Sequence, residues 1–446
     1  MVITWRAVAL AALGAVAVLL VPSALVVAAW AVLVVVVAAL DASLAASPRQ
    51  VGVRREVPPS VRLTEPASSV LTLTNLGPRR LRAVVRDAWP PSALPPLRPG
   101  GAVDAPADLG RRTPRHSVDV PSGERRRVTT VLLPTRRGDL AAGAVTVRSL
   151  GPLRIAGRQA SLPVPGRLRV LPEFASRRHL PSRLARLREL DGRAAVQVRG
   201  AGTEFDSLRE YVIGDDVRSI DWRATARRAD VVVRTWRPER DRRVLVVLDT
   251  SRTSAARVLD APAIEASVEA ALLLAALATR AGDRVELIAF DRRVRARVAG
   301  TSGARVLPAF ADALAGVQPA LLEADWPGIV AQVRDRLTQR ALVVLLTTLE
   351  PAAVEQGLLD VAAQLTDRHT VVLASVADPE VDQLRRGRDD AEQVFDAAAA
   401  ERTQLERAAV AQRLRQRGME VLEALPDELA PRLADTYLAL KAAGRL

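Results

Sequence analysis

The sequence predicts an α/β protein, a mostly parallel sheet with helices on both faces, preceded by a β-sandwich and an N-terminal transmembrane helical hairpin. Three observations carry that expectation. No charged residue interrupts Ala7 to Leu40. Residues from about 50 to 172 break into short alternating strands punctuated by Gly and Pro. Beyond residue 202, uniformly apolar strands alternate with helical stretches, the pattern of strands buried on both faces. A chain of 446 residues exceeds one compact core, so several domains are expected.

The apolar run is too long for one membrane span of about 20 residues and divides at Val21-Pro22-Ser23. Helices over about 4–21 and 24–41, within a hairpin domain of residues 1–45, are expected to contact the lipid bilayer. A secretory signal is the competing reading, but the run exceeds a typical signal core. Arg6 precedes the first span, and Arg49, Arg54 and Arg55 follow the second. Basic flanks on both sides predict a multi-pass protein of the cell membrane, with both termini and the soluble domains in the cytoplasm. The absence of cysteine agrees with a reducing compartment.

In the β-sandwich domain, 50–172, "SSVLTLTNLGPRRLRAVVRD" alternates apolar and polar residues around the turn Asn75-Leu76-Gly77-Pro78. The proline-rich piece Trp89–Gly101 reads as an exposed loop. An Arg-rich connector spans 173–201, and the α/β domain covers 202–446. There "RRVLVVLD" and "ALVVLLTTL" are buried strands separated by helices, one of them "APAIEASVEAALLLAALATRAG".

Composition narrows function. The formal charge of +14 is carried by arginine, with Lys441 the single lysine. Only 3% of residues are aromatic and the arginines are spread over the whole chain, so nucleic-acid binding is not the favoured reading. The three histidines, His116, His179 and His369, are far apart, which speaks against a zinc centre.

Two constellations remain. "VVLDTSRTS", Val246 to Ser254, places Asp249, Ser251 and Thr253 on one turn at a strand end, where α/β sheets bind ligands. An aspartyl-phosphate phosphohydrolase using Asp249 would want a second carboxylate where Ser251 stands, so an enzyme is not expected. Mg²⁺ or Mn²⁺ suits these oxygens better, although Thr348 occupies the strand end where another acid is expected. Asp325 or Glu350 could compensate. Asp325 is equally an N-cap, and the hydroxyls equally satisfy local backbone groups. The second constellation, Gly202 to Arg243, mixes acids, bases and scarce aromatics. Arg209, Tyr211, Asp215, Asp216, Arg218, Asp221, Trp222 and Arg223 form either a solvated salt-bridged loop or a docking surface; Trp, Tyr and Arg favour docking.

At these residues the chain resembles a known family. "LREYVIGDDVRSIDWRATAR", followed by "ER" and "LVVLDTSRTS", resembles the signature of the domain-of-unknown-function 58 family, and the layout is similar over nearly the whole chain. The resemblance implies a bacterial membrane protein whose α/β domain is von Willebrand A-like, a Rossmann-type fold. It further implies an adhesive module binding a protein partner, such as a MoxR-type AAA ATPase in a chaperone-like or envelope-related assembly, and not a small-molecule substrate or nucleic acid. In such folds a metal-ion-dependent adhesion site is completed by the partner's acid. Its first ligands fall on Asp249, Ser251 and Thr253, a later threonine near Asp325, and its late aspartate on Thr348, where this sequence departs.

Overall fold

An uncharged run with a proline at its centre folds as two helices, α1 (Trp5–Leu20) and α2 (Ala24–Leu44). Pro22 has no N–H to continue α1, and Ser23 restarts the helix by accepting the Leu25 N–H at 3.2 Å. The helices touch through Trp30, whose indole Nε1 donates to the Leu10 carbonyl at 3.1 Å. A Cβ at Gly14 would stand 2.3 Å from the Trp30 ring, so only glycine fits. α2 is long and apolar enough to cross a membrane; α1 is a shorter apolar helix.

The structure, a computed structural model, describes all residues except 96–113, 198–203, 214, 228–229, 238–241 and 351–356. It divides into two units, Met1–Leu171 and Pro172–Leu446. The first unit holds strands β1 (Val2–Ile3), β2 (Val51–Glu56), β3 (Ser60–Arg62), β4 (Ala67–Asn75), β5 (Leu81–Asp87) and β6 (Arg115–Val120). β7 (Arg125–Leu132), β8 (Gly138–Ala141), β9 (Val145–Leu150), β10 (Ala156–Leu162) and β11 (Arg167–Leu171) complete it. They form a five-stranded sheet ordered β1-β10-β9-β5-β6 and two three-stranded sheets, β2-β4-β7 and β3-β11-β8. Alternation with period two sends every second side chain inward. Leu71 and Leu73 of β4 thus share one core with Leu81, Ala83 and Val85 of β5 and with Val145 and Val147 of β9.

Two details differ from the sequence expectation. The first half of the proline-rich piece is not an exposed loop: Trp89, Ala93 and Leu94 pack in the core with Leu132, Leu168 and Val170. Residues 96–101 of that piece lie outside the described residues. The Trp89 indole is drawn inward by a buried acid, donating from Nε1 to Asp87 at 3.1 Å. The connector also does more than link, because Phe174 and Leu187 belong to the core of the second unit.

The second unit runs through α3 (Leu180–Gln197), β12 (Glu204–Glu210), α4 (Trp222–Thr225), β13 (Val232–Arg237), β14 (Arg243–Asp249), β15 (Arg257–Val258), β16 (Ala261–Pro262) and α5 (Ala263–Arg280). β17 (Arg284–Phe290), β18 (Val294–Val298), α6 (Val306–Ala315), α7 (Trp326–Arg336), β19 (Leu342–Leu346) and α8 (Leu359–Thr366) follow. β20 (Thr370–Val376), α9 (Pro379–Leu384), α10 (Ala391–Gln416), β21 (Glu420–Ala424) and α11 (Pro426–Ala442) end it.

The main sheet is ordered β18-β17-β14-β19-β20-β21. All neighbours are parallel except β17 and β18. Alternate residues of β14 face opposite cores. Val244, Val246 and Leu248 pack with α5, α6 and α11, whereas Leu245 and Val247 pack with α7, α8 and α10. Helices therefore cover both faces, which explains why the strands read as continuous apolar runs. The chain leaves β14 for β17 on one side, and β19 to β21 lie on the other. The carboxyl ends of β14 and β19 thus flank the point where the strand order reverses, the place where open α/β sheets form a crevice.

Candidate functional site: a strand-end turn and an Arg/Trp arm

Asp249 closes β14 beside that reversal and is only 3% exposed. One carboxylate oxygen accepts the Ser251 N–H at 2.8 Å. The other accepts Thr253 Oγ1 at 3.2 Å and Thr347 Oγ1 at 2.7 Å. Ser251 Oγ and Thr253 Oγ1 lie 3.1 Å apart. Burial strips water from the carboxylate and pushes its pKa up, against the hydrogen bonds from Thr347, Ser251 and Thr253.

This oxygen set suits a small divalent cation in spacing. Adjacent ligands of an octahedral Mg²⁺ at about 2.1 Å are about 3 Å apart, close to the 3.1 and 3.2 Å found here. The set has one carboxylate. Among the described residues no group of three or more His, Asp or Glu is placed to hold a metal.

The other expected ligands have hydrogen-bond partners of their own or stand one place away from the contact. Asp325 caps α7, accepting the Gly328 N–H at 3.0 Å, and its own N–H donates to the Asp291 carbonyl. No hydrogen bond joins it to Asp249, Ser251 or Thr253 among the described residues. Thr347, not Thr348, meets Asp249 from the β19 end. Thr348 Oγ1 is shielded from water and has no hydrogen-bond partner among the described residues. Glu350 pairs with Arg407 at 3.0 Å instead.

The second constellation is an arm, built on the antiparallel pair β12–β13. Arg209 grips Asp215 through two bonds of 2.6 and 2.8 Å, and Asp215 also accepts the Val212 N–H. Asp216 accepts the Arg218 N–H. Asp221 caps α4 through the Arg223 and Ala224 N–H groups, both at 3.0 Å, and takes Arg234 Nε at 2.8 Å. These bonds hold both acids below their ordinary range, Asp215 chiefly through Arg209 and Asp221 chiefly through the Ala224 N–H. Arg209, Asp215, Asp216 and Asp221 are thus used in shaping the arm, while Tyr211 is half-buried and its N–H donates to the Val231 carbonyl.

What the arm presents outward is different. Ile213 is 97% exposed and Trp222 66% exposed, with Val212 and Val217 nearby and open. Arg218 and Arg223 are exposed beside them, and their guanidiniums make no hydrogen bond among the described residues. The apolar members, Val212, Ile213 and Val217, escaped the sequence reading. The available signal was an apolar trio without helical or strand periodicity inside a charged segment.

A family model described as "Protein of unknown function DUF58" matches residues 207–422, from the arm through β21. Residues 207–422, just under half of the chain, thus match the DUF58 family. No curated protein matches the sequence. Solved structures similar to the chain include the CARDB domain of a Pyrococcus furiosus protein, solved with di-metal ions, at 14% identity. It covers 27% of this chain and 87% of its own, with a TM-score of 0.18. The human seminal-plasma complex of zinc 2-glycoprotein and prolactin-inducible protein matches at 15% identity over 26% of this chain and 92% of that one, with a TM-score of 0.18. At such scores neither likeness bears on the fold or function of this protein.

Proposed function

We propose that this protein is a membrane-anchored protein-interaction module. In this reading α1 and α2 form a two-span anchor, and both units face the cytoplasm. The first unit is a β-sandwich, the second is von Willebrand A-like, and the arm docks a MoxR-type AAA ATPase. The observation that carries the reading is the outward face of the arm. Trp222, Arg218 and Arg223 are the residue types that dominate binding hot spots, their two guanidiniums making no hydrogen bond among the described residues, and the open side chains of Val212, Ile213 and Val217 extend the exposed apolar surface beside them. Internal ion pairs hold this face in shape, which lowers the ordering cost of docking.

Docking is tested by placing a photo-crosslinking residue at position 213 or, in a separate variant, at Phe395. Phe395 is another open apolar residue, 76% exposed on α10. The ATPase should be trapped from position 213 and not from 395. Trapping only from 395 overturns the assignment.

The strand-end turn is the second part of the proposal: a partial Mg²⁺ or Mn²⁺ site held by Asp249, Ser251 and Thr253 and completed by an acid of the partner. Thr347 stands at the strand end beside Asp249, and Asp325, which caps α7 through one carboxylate oxygen, is kept as a further candidate ligand. A phosphohydrolase gains no support, because the Asp249 carboxylate is buried and occupied by donors. A cation must displace the proton that burial favours on Asp249, so metal affinity should fall as pH is lowered, by up to about tenfold per unit below the raised pKa. Calorimetric titration of the full chain with Mn²⁺ checks this. Binding lost in Asp249→Ala and weakened by acid supports the site, and binding indifferent to both contradicts it.

A further inference from the structure

The base of the helical hairpin is fastened to the β-sheets at both ends. β1, ahead of α1, pairs with Ala156 and Gly157 of β10. Thr4 Oγ1 donates to the carbonyls of Arg154 and Ile155, and Arg6 donates to Leu153 O at 3.1 Å. At the other end, Asp41 of α2 is 1% exposed. Its carboxylate accepts the N–H groups of Leu153, Ile155 and Ala156 at 2.8–2.9 Å. The approach is close enough that a Cβ at Gly151 would stand 2.2 Å from Asp41 oxygens. Arg79 and Arg158 donate to carbonyls at the end of α2, Ser43 and Ala42, as cations at a helix C-terminus do. The loop Gly151–Ile155 is therefore held level with the ends of both helices.

Around this base the exposed chemistry is of two kinds. Met1, Ile3, Trp5 and Leu153 are apolar and 56–75% exposed. Arg6, Arg79, Arg82, Arg154 and Arg158 are exposed arginines that form no ion pair closer than 4.0 Å among the described residues. Two exposed acids lie nearby: Asp119, which is paired with Arg80 at 2.7 Å and also feels Arg82 and Arg154, and Glu124, which acts on Arg80. An apolar rim interleaved with guanidiniums fits the boundary between acyl chains and phosphates, where Trp anchors and arginine forks bind oxygen anions.

We propose that the hairpin base and the loop Gly151–Ile155 form a docking rim for anionic lipid headgroups, with Leu153 seated in the interface and Arg79, Arg82, Arg154 and Arg158 on lipid phosphates. The inference rests on the reading that α1 and α2 enter the bilayer. It adds that the β-sheets of the first unit are fixed against the membrane surface by Asp41, not tethered loosely to it.

The chain has no cysteine, so single reporters are available. Leu153→Cys, Val16→Cys within α1 and Val131→Cys carry an environment-sensitive dye in the full chain. Val131 pairs with Ser68 and so lies at the end of β4 remote from the turn that bears Arg79. Each is reconstituted in phosphatidylcholine with and without about 30 mol % phosphatidylglycerol, containing lipids with a nitroxide near the headgroup or deep in the chain. The proposal expects the 153 dye to be quenched by the headgroup nitroxide and the 131 dye to be unaffected. Quenching at 153 should fall at least about twofold without the anionic lipid or in Arg82→Gln/Arg154→Gln. A 153 dye that behaves like 131 while position 16 is quenched in the chain region overturns the rim and leaves the anchor standing. Absence of quenching at all three positions overturns both. Quenching at 153 that ignores lipid charge and the double variant overturns the anionic assignment.

Discussion

Asp87→Ala should destabilise the first unit by about 3–5 kcal/mol, the cost of breaking a buried ion pair from one side. Both side chains of the Arg55–Asp87 pair are fully inaccessible to solvent, and their closest atoms are 2.5 Å apart. Asp87 also accepts Ser69 Oγ at 2.7 Å and the Trp89 indole at 3.1 Å. Arg55 reaches the carbonyls of Val164 and Gly143 and lies over the Trp89 ring, 5.7 Å from its centroid. Removing the acid strands a guanidinium and two donors in the core, and Trp89 loses the bond that turns it inward. Thermal unfolding of the full chain in nanodiscs measures the effect. Asp119→Ala, which breaks only the exposed pair with Arg80, is the control and should leave the unfolding temperature nearly unchanged. Equal unfolding temperatures for the two variants would contradict this account of the core.

The features that proved readable in the sequence were local ones. Pro22 and Ser23 mark the break between α1 and α2 because one lacks an N–H and the other supplies a cap. The apolar run ending at Asp249 is legible because a strand covered on both faces leaves no polar position before its end. What sequence could not show depends on register and on distant partners. The parallel pairing sets Leu248 opposite Leu346, so the next residue, Thr347, reaches Asp249, one position before the threonine that the family pattern suggests. Asp41 looks like the charged end of a span, and only the folded chain brings three N–H groups from more than 110 residues away onto it. Trp89 sits among prolines that read as loop, yet Asp87 two residues earlier holds it inside. In the arm, the acids that look like binding residues are satisfied internally, and the open side chains are the apolar ones between them.

Trp222 carries the largest expected effect on binding. It stands at the first position of α4, 66% exposed, with Asp221 capping the helix independently of the indole. Truncation therefore removes exposed aromatic surface without removing the bonds that shape the arm. An aromatic anchor at the centre of a docking face typically contributes about 2 kcal/mol or more, roughly thirtyfold in affinity. The decisive measurement is an equilibrium titration of a MoxR-type AAA ATPase onto the full chain in nanodiscs, comparing wild type with Trp222→Ala at matched unfolding temperature. A drop of about thirtyfold is the result predicted for an interaction module that docks through the arm. Equal affinity in the two proteins, or no binding by the wild type, would contradict it.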